Sequence, residues 1–168
     1  WGPPGTGKTT LGKIIAREMN ADFFELSAVS SGVAQIRKIL KQGKLNFTAD
    51  RKTILFVDEI HRFNKSQQDS FLHSVENGSI ILIGATTENP SIEVISPLLS
   101  RCRILKLNSF SKNEMDTILS RALNTDILLS QHKISFSENS RSGILSSCGG
   151  DARKLLNTLE LVVSMHAN

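Results

Sequence analysis

Residues 2–9 read Gly-Pro-Pro-Gly-Thr-Gly-Lys-Thr, a spacing of glycines, a lysine and a hydroxyl that suits a phosphate chain. Gly2, Gly5 and Gly7 allow positive φ and carry no Cβ, so successive backbone N–H groups can turn inward around an anion. Lys8 adds a point charge for β- and γ-phosphates, and Thr9 offers a hydroxyl to Mg²⁺. The stretch expected to bind ATP is therefore Gly2, Pro3, Pro4, Gly5, Thr6, Gly7, Lys8, Thr9 and Thr10. Apolar residues at helical spacing over 11–19 predict that the loop opens a helix, whose N-terminus also attracts anions.

A second group of polar residues falls at the ends of apolar runs. Asp58 and Glu59 close the run over 53–57. In a parallel sheet, the C-terminal end of a strand is where ligands bind. There Asp58 suits Mg²⁺, held through its waters, and Glu59 suits polarisation of an attacking water. A pair of solvated surface acids is the plainer alternative. Thr86, Thr87 and Asn89 follow the run over 80–83 in the same way and offer side chains that could orient the water. Ser96 and Pro97 predict a short helix with Ser96 as N-cap, running to Arg101.

Strand and helix signals alternate up to about residue 108. Residues 23–26 read as a short strand, and Val33, Ile36, Ile39 and Leu40 mark a helix. The continuous apolar runs over 53–57 and 80–83 read as strands buried on both faces. A helix over 65–75 would turn Phe71, Leu72 and Val75 inward, and residues 104–107 form a weaker last strand. Such alternation predicts a parallel sheet flanked by helices. Beyond Asn108 only helices are expected. Ser111 and Glu114 form a capping box, flanked by Phe110 and Met115 at the staple positions. A second helix covers 138–147. A third follows Asp151 as N-cap and carries Leu155, Leu156, Leu159, Val162 and Val163. The fold class is α/β, with an ATPase core over 1–108 and a helical unit over 109–168.

A P-loop needs a strand before it, yet only Trp1 precedes Gly2. The chain therefore reads as a piece of a longer polypeptide, expected to fold poorly and hydrolyse ATP slowly by itself. At 168 residues it has room for one domain, or for a core and part of a second. No apolar run approaches membrane-spanning length, and Cys102 and Cys148 are too few for a disulfide framework. These features fit a soluble intracellular protein. A net charge of +4 and a pI near 9.3 permit nucleic acid as a partner.

Phosphate loop, Asp-Glu strand, Thr-Thr strand, Leu-Ser-Arg-Cys and Gly-Asp-Ala-Arg occur in an order that resembles the clamp-loader branch of the AAA+ ATPases. The run from Asp58 through His61, Arg62, Phe63, Asn64 and Lys65 to Asp69 is more particular. So is the run from Ile83 to Ser91. With Asn157-Thr158-Leu159-Glu160, they are similar to the replication-associated recombination protein A / Werner helicase-interacting ATPase family. The resemblance implies a DNA-dependent ATPase using ATP and Mg²⁺ in replication-fork maintenance, recombination and repair. It implies Thr87 as sensor 1, with Asn89 the lesser candidate, and Arg101 as a finger acting in trans on a neighbouring subunit's ATP. Arg153 matches the sensor 2 arginine of a helical lid, here incomplete at its C-terminal end. Lys8 and Glu59 complete the implied catalytic set.

The family further implies DNA forks, gaps or ends, single-stranded DNA-binding protein, and self-assembly, as a tetramer, as partners. It implies a cytoplasmic, nucleoid-associated location in bacteria and a nuclear one in eukaryotes. It normally has an N-terminal segment over the adenine and a C-terminal oligomerisation region, neither of which is in this sequence. Ile92 replaces a usual Phe, and His73-Ser74 stands where a Pro-containing pair is common. A Holliday-junction branch-migration motor shares the Asp-Glu-Ile-His-Arg run but not the Phe-Asn-Lys continuation. A non-hydrolysing clamp-loader-like scaffold subunit is the alternative of another class, though such subunits lose Lys8, Glu59 or the finger. Arg37, Lys38, Lys41, Lys44, Arg51 and Lys52 cluster around a loop expected over 42–50, with only Phe47 as aromatic. A solvated face is the plainer reading of that pattern, base stacking is poorly supported, and DNA binding rests mainly on the resemblance, with phosphate contact as secondary support.

Overall fold

A computed structural model describes residues 1–126 and 134–166. They form two compact units, one of Trp1–Gly2 with Lys8–Lys106 and one of Pro3–Gly7 with Leu107–Asn168. The first unit is built on a parallel sheet of β1 (Asp22–Ser27), β2 (Thr53–Asp58) and β3 (Ile81–Gly84), with β2 in the middle. Asp22 pairs with Thr53 and Ser27 with Asp58, while Ile54 pairs with Ile81 and Val57 with Gly84. Ile54, Leu55, Phe56 and Val57 are all 0% exposed, so this strand is buried on both faces, as its unbroken apolar run predicts.

Helices cover both faces because successive strand side chains alternate. On one side α1 (Lys8–Glu18) packs on Phe23 and Phe56 through Gly12, where an added Cβ would lie 2.8 Å from the Phe56 ring. On the other, Leu55 and Val57 share a cluster with Ile36 and Ile39 of α2 (Val33–Thr48). Residues 65–75 are not one helix. They give α3 (Lys65–Asp69) and the start of α4 (Leu72–Glu76), with a break at Ser70 and Phe71. There Ser70 Oγ bonds back to Gln67 O, and Phe71 N–H reaches only three residues back, to Gln68. Gln68 is fixed sideways, donating to Phe63 O and accepting from Ile95 N–H. Phe71 is nonetheless fully buried, and Leu72 and Val75 pack against the same core.

Three further expectations are corrected. Residue 80 lies outside β3, and Ile81 is exposed, so this strand is not buried on both faces. β2 is its one neighbour among the described residues. Residues 104–107 form no strand. Leu105 O accepts one bond, from the Trp1 amino group, and a ladder needs more than that. Ser96 is the first residue of α6 (Ser96–Leu99), and Ile95 is its N-cap, which makes no side-chain cap. A four-residue helix, α5 (Pro90–Glu93), precedes it.

The second unit holds α7 (Lys112–Thr125), α8 (Glu138–Ser147) and α9 (Ala152–His166). The capping box at Ser111 and Glu114 is present, and its hydrogen bonds hold the Glu114 carboxyl below the usual range. Met115, Leu119, Leu145, Cys148, Leu155 and Leu159 make the core, whereas Leu156 faces solvent. Arg141 joins α8 to Asp116 of α7 and lowers the Asp116 pKa. Cys102 and Cys148 are both thiols outside any disulfide. No helix among the described residues is long and apolar enough to cross a membrane.

Asn46 ties α2 to the sheet. Its amide donates to Asp22 Oδ2 and Thr53 Oγ1, and its oxygen accepts from Gln42 and Arg51. It is 0% exposed. Removing it leaves the buried Thr53 hydroxyl short of a partner, at a cost of about 2 kcal/mol. Asn46→Ala in the full-length protein should therefore lower hydrogen-exchange protection of the β2 amides about 30-fold, and Gln42→Ala far less. Equal protection in the two variants contradicts this anchoring role.

Candidate functional site

The glycine-rich loop has the backbone that its composition demands. Gly5 takes φ +68° and Gly7 φ +84°, in the left-handed region that other residues rarely adopt. α1 begins at Lys8, with Thr9 and Thr10 in its first turn and no acidic residue there. Lys8 Nζ donates to Gly2 O at 2.7 Å, holding the ammonium over the start of the loop. Gly2 N–H donates to Thr86 O at 3.1 Å, which fixes the loop entrance beside the residues that follow β3. Thr6 Oγ1 donates to Pro3 O across the turn between them.

At the end of β2 the backbone turns abruptly. Glu59 takes φ +52° and ψ +46°, and a single 3₁₀ turn follows over Ile60–Arg62. Bonds to the neighbouring strand end hold this turn: Ala85 N–H donates to Val57 O at 2.8 Å, and Ile60 N–H donates to Ala85 O at 3.0 Å. Arg62 N–H closes the turn onto Glu59 O. The Glu59 side chain thereby meets Thr87. Both Thr87 N–H and Thr87 Oγ1 lie 3.4 Å from Glu59 Oε2. His61 Nδ1 is 3.2 Å from the same oxygen and 2.8 Å from Thr86 Oγ1. Asp58 and Glu59 are both partly exposed at the strand end.

The remaining candidates are placed differently. The Asn89 side chain caps α5, accepting from Ser91 N–H at 3.1 Å. Arg101 is exposed just past α6, where it bonds Pro97 O and the Ser100 hydroxyl and pairs with Glu76 at the end of α4. Arg153 is exposed in the first turn of α9, preceded by the cap residue Asp151, which accepts from Lys154 N–H. Asp151 also abuts the phosphate loop. An added Cβ at Gly5 would fall 1.7 Å from its Oδ1, and Ala152 N–H donates to Gly5 O. The loop expected over 42–50 is helical as far as Thr48, so Arg37, Lys38, Lys41 and Lys44 are exposed on α2, while Arg51 is committed to Asp22 and Asn46.

Sequence reasoning gave no role of their own to His61, Glu76 or the Gly5 face of Asp151. Their partners lie far away in the chain, and only the pairing of β2 with β3 or the helix packing brings them together.

The residues fit a magnesium nucleotide. The loop offers positive-φ glycines, a lysine and a helix N-terminus, all suited to anions. Among the described residues no three His, Cys, Asp or Glu side chains gather into a cage of their own. Mg²⁺ needs no such cage, since one or two protein oxygens with phosphates and waters complete its shell. The Thr9 hydroxyl and the Asp58 carboxylate are the oxygens of that kind.

Comparison with known proteins agrees with this chemistry. Residues 1–109 match the model of the ATPase family associated with various cellular activities (AAA). The chain is 51% identical over 98% of its length to Replication-associated recombination protein A of Haemophilus influenzae, and it spans 37% of that protein. It is 43% identical over 97% of its length to ATPase WRNIP1 of Dictyostelium discoideum, of which it spans 19%. Among solved structures, a RuvB mutant from Thermotoga maritima matches 99% of the chain and 55% of its own, with a TM-score of 0.73 and 26% identity.

Proposed function

Because the chain belongs to the AAA family of ATPases, we propose that it binds and hydrolyses ATP within an oligomer that works on DNA in fork maintenance, recombination and repair. The single observation that carries the catalytic reading is the meeting of Glu59 and Thr87 at the C-terminal ends of β2 and β3. The names of its relatives support the replication and recombination setting. Under this reading residues 1–108 are the ATPase core and residues 109–168 belong to a helical lid.

Each residue then has a separable task. Gly2, Pro3, Pro4, Gly5, Thr6, Gly7 and Thr10 shape the loop that receives the phosphates. Lys8 leaves Gly2 O for the β- and γ-phosphates, and Thr9 and Asp58 hold Mg²⁺. When bound there, Mg²⁺ would supply neutralisation of the charge developing on the phosphoryl oxygens. Glu59 takes the proton of the attacking water, and Thr87 holds Glu59. Arg101 reaches the phosphates of a neighbouring subunit once it leaves Glu76, and Arg153 serves its own lid. Asn89 is kept for capping α5. The exposed row of Arg37, Lys38, Lys41 and Lys44 is the face we assign to DNA phosphates. Self-assembly as a tetramer, contact with single-stranded DNA-binding protein, and a cytoplasmic or nuclear location follow from the family alone.

Two outcomes test this reading in the full-length protein. Glu59→Gln should keep Mg²⁺-ATP affinity and lower turnover by about 10²–10⁴, the usual worth of a general base. Turnover within a few-fold of the parent shows that another group takes the proton. Arg101→Ala should lower hydrolysis by about 10³–10⁵ with little change in affinity. Mixed with Lys8→Ala subunits, which keep the arginine, it should regain part of the activity. No recovery, with subunit exchange confirmed, places the action of Arg101 within its own chain.

A further inference from the structure

His61 lies between the two strand ends and no role above uses it. Its side chain is 9% exposed, and Nδ1 faces both Glu59 Oε2 at 3.2 Å and Thr86 Oγ1 at 2.8 Å. We infer that His61 is a positioning residue for Glu59, clamping Oε2 and leaving Oε1 as the oxygen open to the water's proton. The inference rests on the reading of Glu59 as the base.

Lone-pair accounting fixes the direction of these bonds. An unprotonated Nδ1 would turn its lone pair toward an ionised carboxylate oxygen, and the two would repel. Nδ1 therefore carries a proton and donates it toward Glu59 Oε2 and Thr86 Oγ1. Thr86 is built to accept. Its oxygen also receives Glu88 N–H at 3.0 Å, and its own hydrogen points to Glu88 O at 3.5 Å. Thr86 is 2% exposed, so this anchor does not compete with bulk water. Glu59 Oε2 thus collects three donors, from His61 Nδ1, Thr87 N–H and Thr87 Oγ1. Among the described residues, no hydrogen bond of Glu59 goes to Oε1. One oxygen is held and the other is left for chemistry, which pre-orients the base before the nucleotide arrives. The arrangement also supports the left-handed turn at Glu59, since the ring follows from the 3₁₀ turn that begins there.

The test compares variants that keep or lose a donor at the Nδ1 position. The side-chain amide of Asn places an N–H close to where His presents Nδ1–H, whereas Leu fills the space without one. In the assembled full-length protein, His61→Leu should lower kcat on the order of 10-fold to 100-fold, the usual effect of removing an outer partner from an active group. Affinity for a non-hydrolysable Mg²⁺-ATP analogue should stay unchanged. His61→Asn should return kcat to within about threefold of the parent, as rescue by a retained donor requires. A kcat for His61→Leu within twofold of the parent overturns the inference. So does His61→Asn falling as far as His61→Leu, because the ring then only fills space. Should His61→Leu lose analogue binding and so prove misfolded, His61→Asn against His61→Gln carries the test. Gln reaches past the Nδ1 position, so it should be slower than Asn, and equal rates overturn the inference. Glu59→Gln in parallel separates the two readings. Retained turnover there removes the base and its clamp together, and a dead Glu59→Gln beside an unaffected His61→Leu removes the clamp alone.

Discussion

The left-handed turn at Glu59 is the constraint on which the site depends. A non-glycine residue at φ +52° is uncommon, and such a conformation persists only when its surroundings hold it. Here they do so from both sides. Ahead of the turn, β2 is buried between β1 and β3, so its end cannot shift. Beyond it, Ile60 N–H bonds Ala85 O, and the Ile60 side chain is 3% exposed against Gly84. An added Cβ on Gly84 would stand 3.0 Å from Ile60 Cδ1, so the strand end and the turn are matched in shape. The turn swings the Glu59 carboxylate from its own strand toward the end of β3, where Thr87 receives it.

The same logic separates what was legible in the sequence from what was not. β2 could be read because four consecutive apolar residues admit no exposed face, and the acids at its end were adjacent in the chain. The phosphate loop was legible for the same reason, since its eight residues are contiguous. The helix break at Ser70 was not, because the apolar spacing continues through it while Gln68 is pulled sideways by Phe63 and Ile95. Residues 104–107 have strand-like composition, but pairing is a property of neighbours. The one bond they make to Trp1 is no ladder. His61 and Thr86 stand 25 residues apart, and only the β2–β3 pairing puts them 2.8 Å from each other.

Charged groups divide between those held in place and those only loosely restrained. Asp116 and Arg141 bind two helices of one unit, and the bond holds the Asp116 carboxyl below its usual range. The Arg101–Glu76 pair is different. It is half exposed, and an exposed pair contributes little stability, so it restrains the arginine at small cost to its release. That is the behaviour wanted of a side chain whose proposed partner lies on another subunit. Arg37, Lys38, Lys41 and Lys44 along α2 have no acidic residue on their helix, and the buried Ile36, Ile39 and Gly43 fix which face they present.

A structure of the assembled protein with Mg²⁺-ADP and aluminium fluoride, which imitates the phosphoryl group in flight, tests the central claim most directly. Glu59 should keep Oε2 on Thr87 and His61, with the in-line water about 2.6–3.2 Å from Oε1, the reach of a general base. A water held by some other group, with Glu59 turned away from it, contradicts the claim that this turn exists to aim a base.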